Sequence, residues 1–192
     1  MHKLLPVRLL IGVVATTTLG PAAASAFDAA AVESLLAEKS CRTCDLRGAD
    51  LAGADLSDVY ATYADFSGAD LSGANLSDAF IPFVDLTGAT LAGAILDRGR
   101  IWDTDLTGAD LTGASLKGAT LNNATLKEAR LNGADLRDAF LTRANLRAAT
   151  LSKADLSGAD LTGASLTTAD LEGAIFCKTI MPDGTVDDAD CP

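Results

Sequence analysis

The chain has 192 residues, with 15 Lys or Arg against 26 Asp or Glu, and its formal net charge is −11. This length fits one ordinary domain, and the negative charge argues against nucleic acid binding, because such proteins gain affinity by neutralising phosphates with Lys and Arg. A hydrophobic content of 48% with only 5% aromatic residues excludes both a disordered chain and a core of large rings.

Residues 1–26 are typical of a secretory signal peptide. Two basic residues precede an apolar stretch of about eleven residues, and the small-residue run Ala24–Ala26 follows. The apolar stretch is shorter than the roughly 20 residues that cross a bilayer as a helix, so we expect cleavage before Phe27 and no stable membrane anchor. The predicted location is therefore periplasmic or secreted.

Cleavage would also remove His2, the only histidine in the sequence. A mature chain without His cannot assemble a Ser-His-Asp or Cys-His site, and no other catalytic constellation is present. We predict that the protein is not an enzyme and uses no cofactor.

Residues 27–43 form a predicted N-terminal capping segment. Val32, Leu35 and Leu36 fall on one stripe of a short helix, and Asp28 is suited to be its N-cap. This pattern predicts an amphipathic helix that covers one end of the next element.

A five-residue unit fills residues 44–178 in 27 uninterrupted copies. Its first position is Ala in 22 copies, its third is Leu in 22 and its fifth is Gly in 13, while the second is often Asp or Asn. Neither the helical period of 3.6 nor the strand period of 2 keeps a Leu at every fifth residue on one surface. The repeat therefore indicates neither an ordinary helix nor a flat sheet.

Segments such as Ala49–Gly53 and Ala69–Gly73 resemble the A(D/N)LxG unit of the pentapeptide-repeat family, and the resemblance covers about seven tenths of the chain. It implies an all-β solenoid, a right-handed quadrilateral β-helix with four units per coil and with the first and third positions pointing inward. At about 4.8 Å per coil, the repeats would form about seven coils, a rod of roughly 32 Å.

Residues 179–192 form the predicted C-terminal cap. The turn residues Pro182, Asp183 and Gly184 separate two short runs of strand formers, a pattern that predicts a hairpin. Such a cap, like the N-terminal helix, would cover backbone that an open stack of coils leaves unpaired.

The four cysteines lie near the two ends of the implied rod. Cys41 and Cys44 flank the first coil, and Cys177 and Cys191 belong to the last. Bridges between the ends are excluded because disulfide-bonded residues have Cα atoms within about 7 Å, so we predict the pairs 41–44 and 177–191. For Cys41 and Cys44, a redox pair and half of a metal site remain as alternatives to a structural staple.

In a rod of this kind, residues twenty positions apart stack, so the chain sorts into four faces. The units centred on residues 61, 81, 101, 121, 141 and 161 carry all the outward aromatic side chains of the repeat, and their charges cancel. The other faces carry net charges of −2, −3 and −3. We call the first of these the aromatic face, and its candidate binding residues are Tyr60, Tyr63, Phe80, Phe83, Arg100, Trp102 and Phe140.

Three interpretations of the aromatic face are open. Its rings could form a packing ladder that stabilises neighbouring coils, or they could pack under the N-terminal helix. Alternatively, the face is a contact surface for a protein, an apolar small molecule or a second copy of the chain. Trp102 and Arg100 are then the favoured anchors, because interface hot spots favour these residue types.

A row of aspartates on another face, Asp45, Asp65, Asp85 and Asp105, raises a calcium hypothesis. Asp at the second position is part of the repeat motif, however, and more simply serves turn hydrogen bonding. We therefore predict no metal site.

These features predict an exported, non-enzymatic structural or protein-binding module with a neutral aromatic face on an acidic rod. The resemblance implies one alternative, because some family members are similar to DNA in shape and charge and protect type II topoisomerases from inhibitors. The net charge of −8 over the repeats suits that role. Predicted export and the uncharged face count against it.

Overall fold

The computed structural model of the protein describes residues 28–192, and the predicted signal peptide lies outside them. Its elements in chain order are α1 (Ala29–Glu38), β1 (Ser40–Arg42), β2 (Tyr60–Thr62), β3 (Thr179–Ile180) and β4 (Val186–Asp187). Between β2 and β3 the chain is held by single-residue parallel bridges. Within the described range, no helix has the length and apolar character needed to span a membrane.

Each bridge joins a residue to the one twenty positions later, as in the series Asp45, Asp65 and Asp85. The chain thus returns to the same side after four five-residue units. Leu46 and Phe66, which follow two of the bridged residues, are both buried. The predicted stacking of third-position side chains in one interior column is confirmed.

The hydrogen bonds of one unit explain the sequence motif. In Ala109–Gly113, the second, third and fifth N–H groups donate to carbonyls of neighbouring coils at 2.7–3.0 Å, and the first N–H closes a turn at 3.0 Å. The fourth N–H has no backbone partner of this kind and is accepted by Oδ1 of Asp110 at 3.1 Å. Asp or Asn at the second position therefore accepts a hydrogen bond from the fourth N–H, which has no partner in the neighbouring coils.

The fifth position has positive φ throughout the repeat, for example +66° at Gly113. Gly enters this region without the steric cost that a Cβ brings. The frequent glycine of the motif follows from this backbone requirement.

The interior is a continuous column of leucines and alanines. Leu111, Leu116 and Leu121 are fully buried, as are the alanines that precede them in the repeat. Burying each Leu contributes about 1.5–3 kcal/mol before conformational entropy is subtracted. The small first-position Ala lets neighbouring backbone segments approach closely.

At the N-terminal end, α1 packs on the first coil. Asp28 Oδ1 accepts a hydrogen bond from the N–H of Ala30 at 3.0 Å, and Leu35 is fully buried in the core. Lys39 Nζ lies 3.2 Å from Asp55 Oδ2. The helix is thereby tied to the coil by one apolar and one charged contact.

At the C-terminal end, β3 and β4 pair antiparallel, with Thr179 opposite Asp187 and Ile180 opposite Val186. The connecting turn is closed by a hydrogen bond from the N–H of Gly184 to the carbonyl of Met181 at 2.9 Å.

Both disulfides have the predicted pairing. Cys41 and Cys44 are joined with a Cα–Cα distance of 5.9 Å, and Cys177 and Cys191 with one of 4.7 Å. The first bridge joins two neighbouring residues at the start of the coil stack, and the second joins the C-terminal end of the chain to the last repeat.

Candidate functional site

Two pairs of rings stack along the aromatic face. The Tyr60 and Phe80 rings are 4.8 Å apart and nearly parallel, at 2°. Tyr63 and Phe83 repeat the arrangement at 5.1 Å and 7°. Because each pair joins residues twenty positions apart, the pairs run along the rod and form two parallel rows.

Trp102 and Arg100 extend this cluster by one coil. The Trp102 ring meets Phe80 edge to face, with centroids 5.2 Å apart and planes at 86°. The guanidinium carbon of Arg100 lies 5.2 Å from the centroid of the Phe80 ring, within the range of a cation–π contact. Phe80 is therefore covered by Tyr60 on one side and by Arg100 on the other.

The two ring rows enclose a groove of about 270 Å³, which we call the aromatic groove. Buried Thr62 and Pro82 lie between the rows at the fourth repeat position, and Arg42 and Trp102 occupy that position in the flanking coils. The residues that line the groove are Arg42, Tyr60, Thr62, Tyr63, Phe80, Pro82, Phe83 and Trp102.

Pro82 illustrates how the groove departs from the repeat motif. Its unit carries Phe80 at the second position, where many other units carry the carboxylate that accepts a hydrogen bond from the fourth N–H. Proline has no N–H, so the substitution of Asp by Phe leaves no donor unpaired in this unit. The groove thus gains an aromatic side chain without a buried unsatisfied group at Pro82.

The rings of the groove remain accessible. Tyr60 is 49% exposed, Tyr63 53% and Phe83 44%. Since α1 packs through Leu35 on the interior of the first coil, it does not cover them. Packing under the helix, one of the three interpretations of the aromatic face, does not describe this structure.

Phe140, the remaining predicted site residue, lies apart from the others. It is 49% exposed, and Thr120 separates it from Arg100 in the ladder of bridges. The structure therefore brings six of the seven predicted residues into one cluster and leaves Phe140 about two coils away.

Arg42 is a groove residue that the sequence count omits. The parallel pairing of β1 with β2 places Arg42 beside Thr62, so the stack begins at Ser40 rather than at Cys44. Arg42 stands twenty residues before Thr62, and this spacing is the sequence signal that identifies it. Arg42 adds one positive charge at the N-terminal end of the aromatic face.

The cations of the aromatic face differ from most others in their surroundings. On the other faces most arginines pair with carboxylates, as Arg98 NH2 does with Asp78 Oδ2 at 2.6 Å. Within residues 28–192, Arg42, Arg100 and Arg143 form no ion pair. The N–H groups of these guanidinium groups are available to donate hydrogen bonds to a bound partner or to water.

Beyond Trp102 the aromatic face becomes polar. Asn122 Oδ1 accepts hydrogen bonds from the N–H of Thr142 at 3.2 Å and from its hydroxyl at 2.7 Å. This replaces the missing second-position carboxylate, because Phe140 occupies that place. Asn122, Thr142 and Arg143 help to line a second depression of about 390 Å³.

The aspartate row has the turn role that the motif predicts. Asp65 Oδ1 accepts from the N–H of Ser67 at 2.9 Å, and Asp85 Oδ1 from that of Thr87 at 2.8 Å. The Arg47 side chain hydrogen-bonds Asp45 and lowers the pKa of that carboxyl. Among residues 28–192, no group of three or more His, Cys, Asp or Glu side chains is placed to hold a metal ion.

The groups in the aromatic groove are suited to binding. The rings offer apolar surface and positively polarised edges, the tyrosine hydroxyls can donate or accept hydrogen bonds, and Arg42 can form charge-assisted hydrogen bonds with carboxylates.

Comparison with known proteins gives one family and several solved structures. The family model described as Pentapeptide repeats matches in eight copies, over residues 40–78, 85–123, 104–143 and 139–176. No curated protein matches the chain.

Three solved structures are similar to parts of this chain. HetL, a pentapeptide repeat protein involved in heterocyst differentiation regulation in the cyanobacterium Nostoc sp. strain PCC 7120, is 30% identical over 77% of this chain and 91% of its own, with a TM-score of 0.27. A pentapeptide repeat protein of the Arabidopsis thaliana thylakoid lumen is 32% identical over 62% and 69%, with a TM-score of 0.28. QnrB1, a plasmid-mediated fluoroquinolone resistance protein, is 24% identical over 74% and 70%, with a TM-score of 0.47.

Proposed function

The chain belongs to the pentapeptide-repeat family, whose fold is the right-handed quadrilateral β-helix, and we propose that it is an exported, non-enzymatic module that binds a protein through the aromatic groove. The rod of about seven coils serves as a rigid support. Of the three uses open for the aromatic face, contact with a partner is the one that the geometry supports best.

The observation that carries this proposal is the exposure of the stacked rings. Tyr60 and Tyr63 remain 49% and 53% exposed, although each stacks on a phenylalanine of the next coil. Stacking of one ring pair contributes about 0.5–1.5 kcal/mol beyond its burial, and rings that stay half exposed gain only part of the stabilisation that burial gives. A cluster of exposed rings around a groove is typical of a contact surface, so a role in contact accounts for these rings better than a role in packing.

The ends of the rod fit a discrete binding module. An uncapped stack would pair with other copies through its free backbone groups. We propose that α1 covers the first coil through Leu35 and that the β3–β4 pair covers the last. The bridge between Cys177 and Cys191 would hold the second cap in place.

Export is supported by the features of residues 1–26 and by the cysteines. All four cysteines of the described chain are in disulfides, which form and persist in oxidising compartments such as the periplasm. We therefore place the mature protein in the periplasm or outside the cell.

A matched pair of variants tests the proposed function. The mature chain is used as bait in the periplasmic fraction, with Tyr60, Phe80 and Trp102 changed together to Ser in one variant and Phe140→Ser as control. We expect the groove variant to lose its bound protein and the control to keep it, because Phe140 is an exposed ring of the same face outside the groove. An identical set of captured proteins for both variants and the wild type would contradict the proposal.

The acidic faces favour a second candidate, mimicry of DNA toward a type II topoisomerase. Three faces carry net charges of −2, −3 and −3, a distribution that suits a positively charged DNA-binding surface. This candidate predicts competition between the chain and DNA that is insensitive to the triple Ser variant. The two candidate functions are therefore separated by whether the interaction is lost in the triple Ser variant.

A further inference from the structure

We infer that the segment bound in the aromatic groove is an extended, proline-containing stretch of protein with a carboxylate at each end. This inference rests on the proposed function and adds the chemistry of the partner. It follows from the size of the groove, the orientation of its rings and the position of its arginines.

The groove is long and small. Its volume of about 270 Å³ is below the roughly 300–1,000 Å³ of sites that enclose a small molecule, so it fits side chains of a larger partner. Arg42 and Trp102 lie three coils apart, about 14 Å along the rod. A polyproline II segment rises 3.1 Å per residue, so four or five of its residues span the groove.

The orientation of the rings selects the type of segment. Because the faces of Tyr60 and Phe80 are stacked on each other, and those of Tyr63 and Phe83 likewise, the walls expose ring edges. Ring edges are positively polarised and attract the backbone carbonyls that a polyproline II helix leaves free of internal hydrogen bonds.

Proline also lowers the cost of binding. Proline-rich segments dock in aromatic-lined grooves because their extended shape is formed before contact. An unstructured segment of the same length would lose more conformational freedom in the groove.

The charges at the two ends indicate carboxylates on the partner. Arg42 lines one end, and Arg100 lies against Phe80 at the other. Two acidic groups lie near this second end. Asp103 continues the Tyr63 and Phe83 row on the opposite side of the groove. Asp78 is already ion-paired with Arg98, and its pKa is lowered by the hydrogen bond from Arg98 and by the charge of Arg100. A carboxylate on the partner therefore meets Arg100 along the Tyr60 and Phe80 row.

Synthetic peptides test the inference on the intact mature chain. The probe has four prolines with one glutamate at each end and blocked termini, and two matched peptides carry lysines at the ends or glycines in the middle. Trp102 is the only tryptophan in the sequence, so its fluorescence reports binding at the groove directly. We expect the glutamate–proline peptide to bind at least about tenfold more tightly than either matched peptide, since each loses charge pairs or preformed shape.

Charge reversal in the protein completes the test. In the double variant Arg42→Glu and Arg100→Glu the preference should invert toward the lysine peptide, while Arg147→Glu, an exposed arginine on another face, should leave it unchanged. Circular dichroism checks that each variant is folded. Equal binding of the glutamate and lysine peptides, no response of Trp102 up to about 1 mM peptide, or an unchanged preference in the double variant would overturn the inference.

Failure here is distinguishable from failure of the proposed function. If a protein is captured through the groove in the bait experiment but the proline peptides do not bind, the proposed function stands and the partner chemistry is wrong. If neither occurs, both are wrong.

Discussion

Replacing Tyr60 and Tyr63 separately with glycine isolates the cost of a side chain at the fifth repeat position. The two side chains are similarly exposed, at 49% and 53%, and each stacks on a phenylalanine of the next coil, at 4.8 and 5.1 Å. Both variants therefore lose comparable burial and stacking, and both gain the unfolded-state entropy of glycine, about 0.5–1 kcal/mol.

The two positions differ in their backbone. Tyr60 belongs to β2, whereas Tyr63 has φ of +57°. Glycine at residue 63 relieves a strain of roughly 1–2 kcal/mol, and glycine at residue 60 relieves none. Tyr63→Gly should therefore have a free energy of unfolding about 1–2 kcal/mol above that of Tyr60→Gly.

Urea denaturation followed by far-UV circular dichroism measures this difference. Tyr60→Ala and Tyr63→Ala serve as controls, because alanine keeps the Cβ and so retains the strain at residue 63. The difference seen between the glycine variants should disappear between the alanine variants. Equal stabilities of Tyr60→Gly and Tyr63→Gly would refute the view that the Tyr63 ring is held at an energetic cost.

Three further predictions concern the core, an aspartate and the second disulfide. Leu111→Ala should lower the free energy of unfolding by about 2–5 kcal/mol because it opens a cavity in a fully buried column, and Leu111→Asp should make the purified protein sensitive to protease; a loss under about 1 kcal/mol for the alanine variant would contradict the buried ladder. Hydrogen bonds from Ser57 hold the pKa of Asp55 at about 2, below its usual 3.8, so its contribution to stability is present above pH 3.8 and is lost as the pH falls toward 2. Melting temperatures of the wild type should fall more over that interval than those of Asp55→Asn, and parallel curves would count against this contribution. Changing Cys177 and Cys191 to Ser should lower the free energy of unfolding by about 3 kcal/mol, measured by denaturation, and an unchanged value would argue that the bridge does not stabilise the chain end.

The coil period could be predicted because the repeat unit resembles that of the pentapeptide-repeat family, whose coils hold four units; a Leu at every fifth residue by itself excludes only an ordinary helix and a flat sheet. The second-position aspartates were equally predictable, and their carboxylates accept turn N–H groups as at Asp65 and Asp85. Both features depend on the backbone, which repeats identically in each unit. Because the motif recurs many times in one chain, the hydrogen bonds that each unit needs can be inferred from the sequence.

The groove was predictable only in part. The twenty-residue sorting places Tyr60 and Phe80 in one row, but it contains nothing about ring orientation, which depends on side-chain torsions and on the neighbouring Trp102. Arg42 was omitted because Cys41 stands where the motif has Leu, so the pattern becomes visible only from Cys44. Sorting by face likewise groups Phe140 with the cluster, although it lies farther along the rod.

The twenty-residue bridges allow the length of the rod to change without a change in its cross-section. Insertion or deletion of one complete turn between Trp102 and Phe140 would leave the groove intact and move Phe140 by about 4.8 Å along the axis. Distances between features on this surface are thus adjustable in uniform steps, and related proteins of different length can present the same recognition elements at different separations.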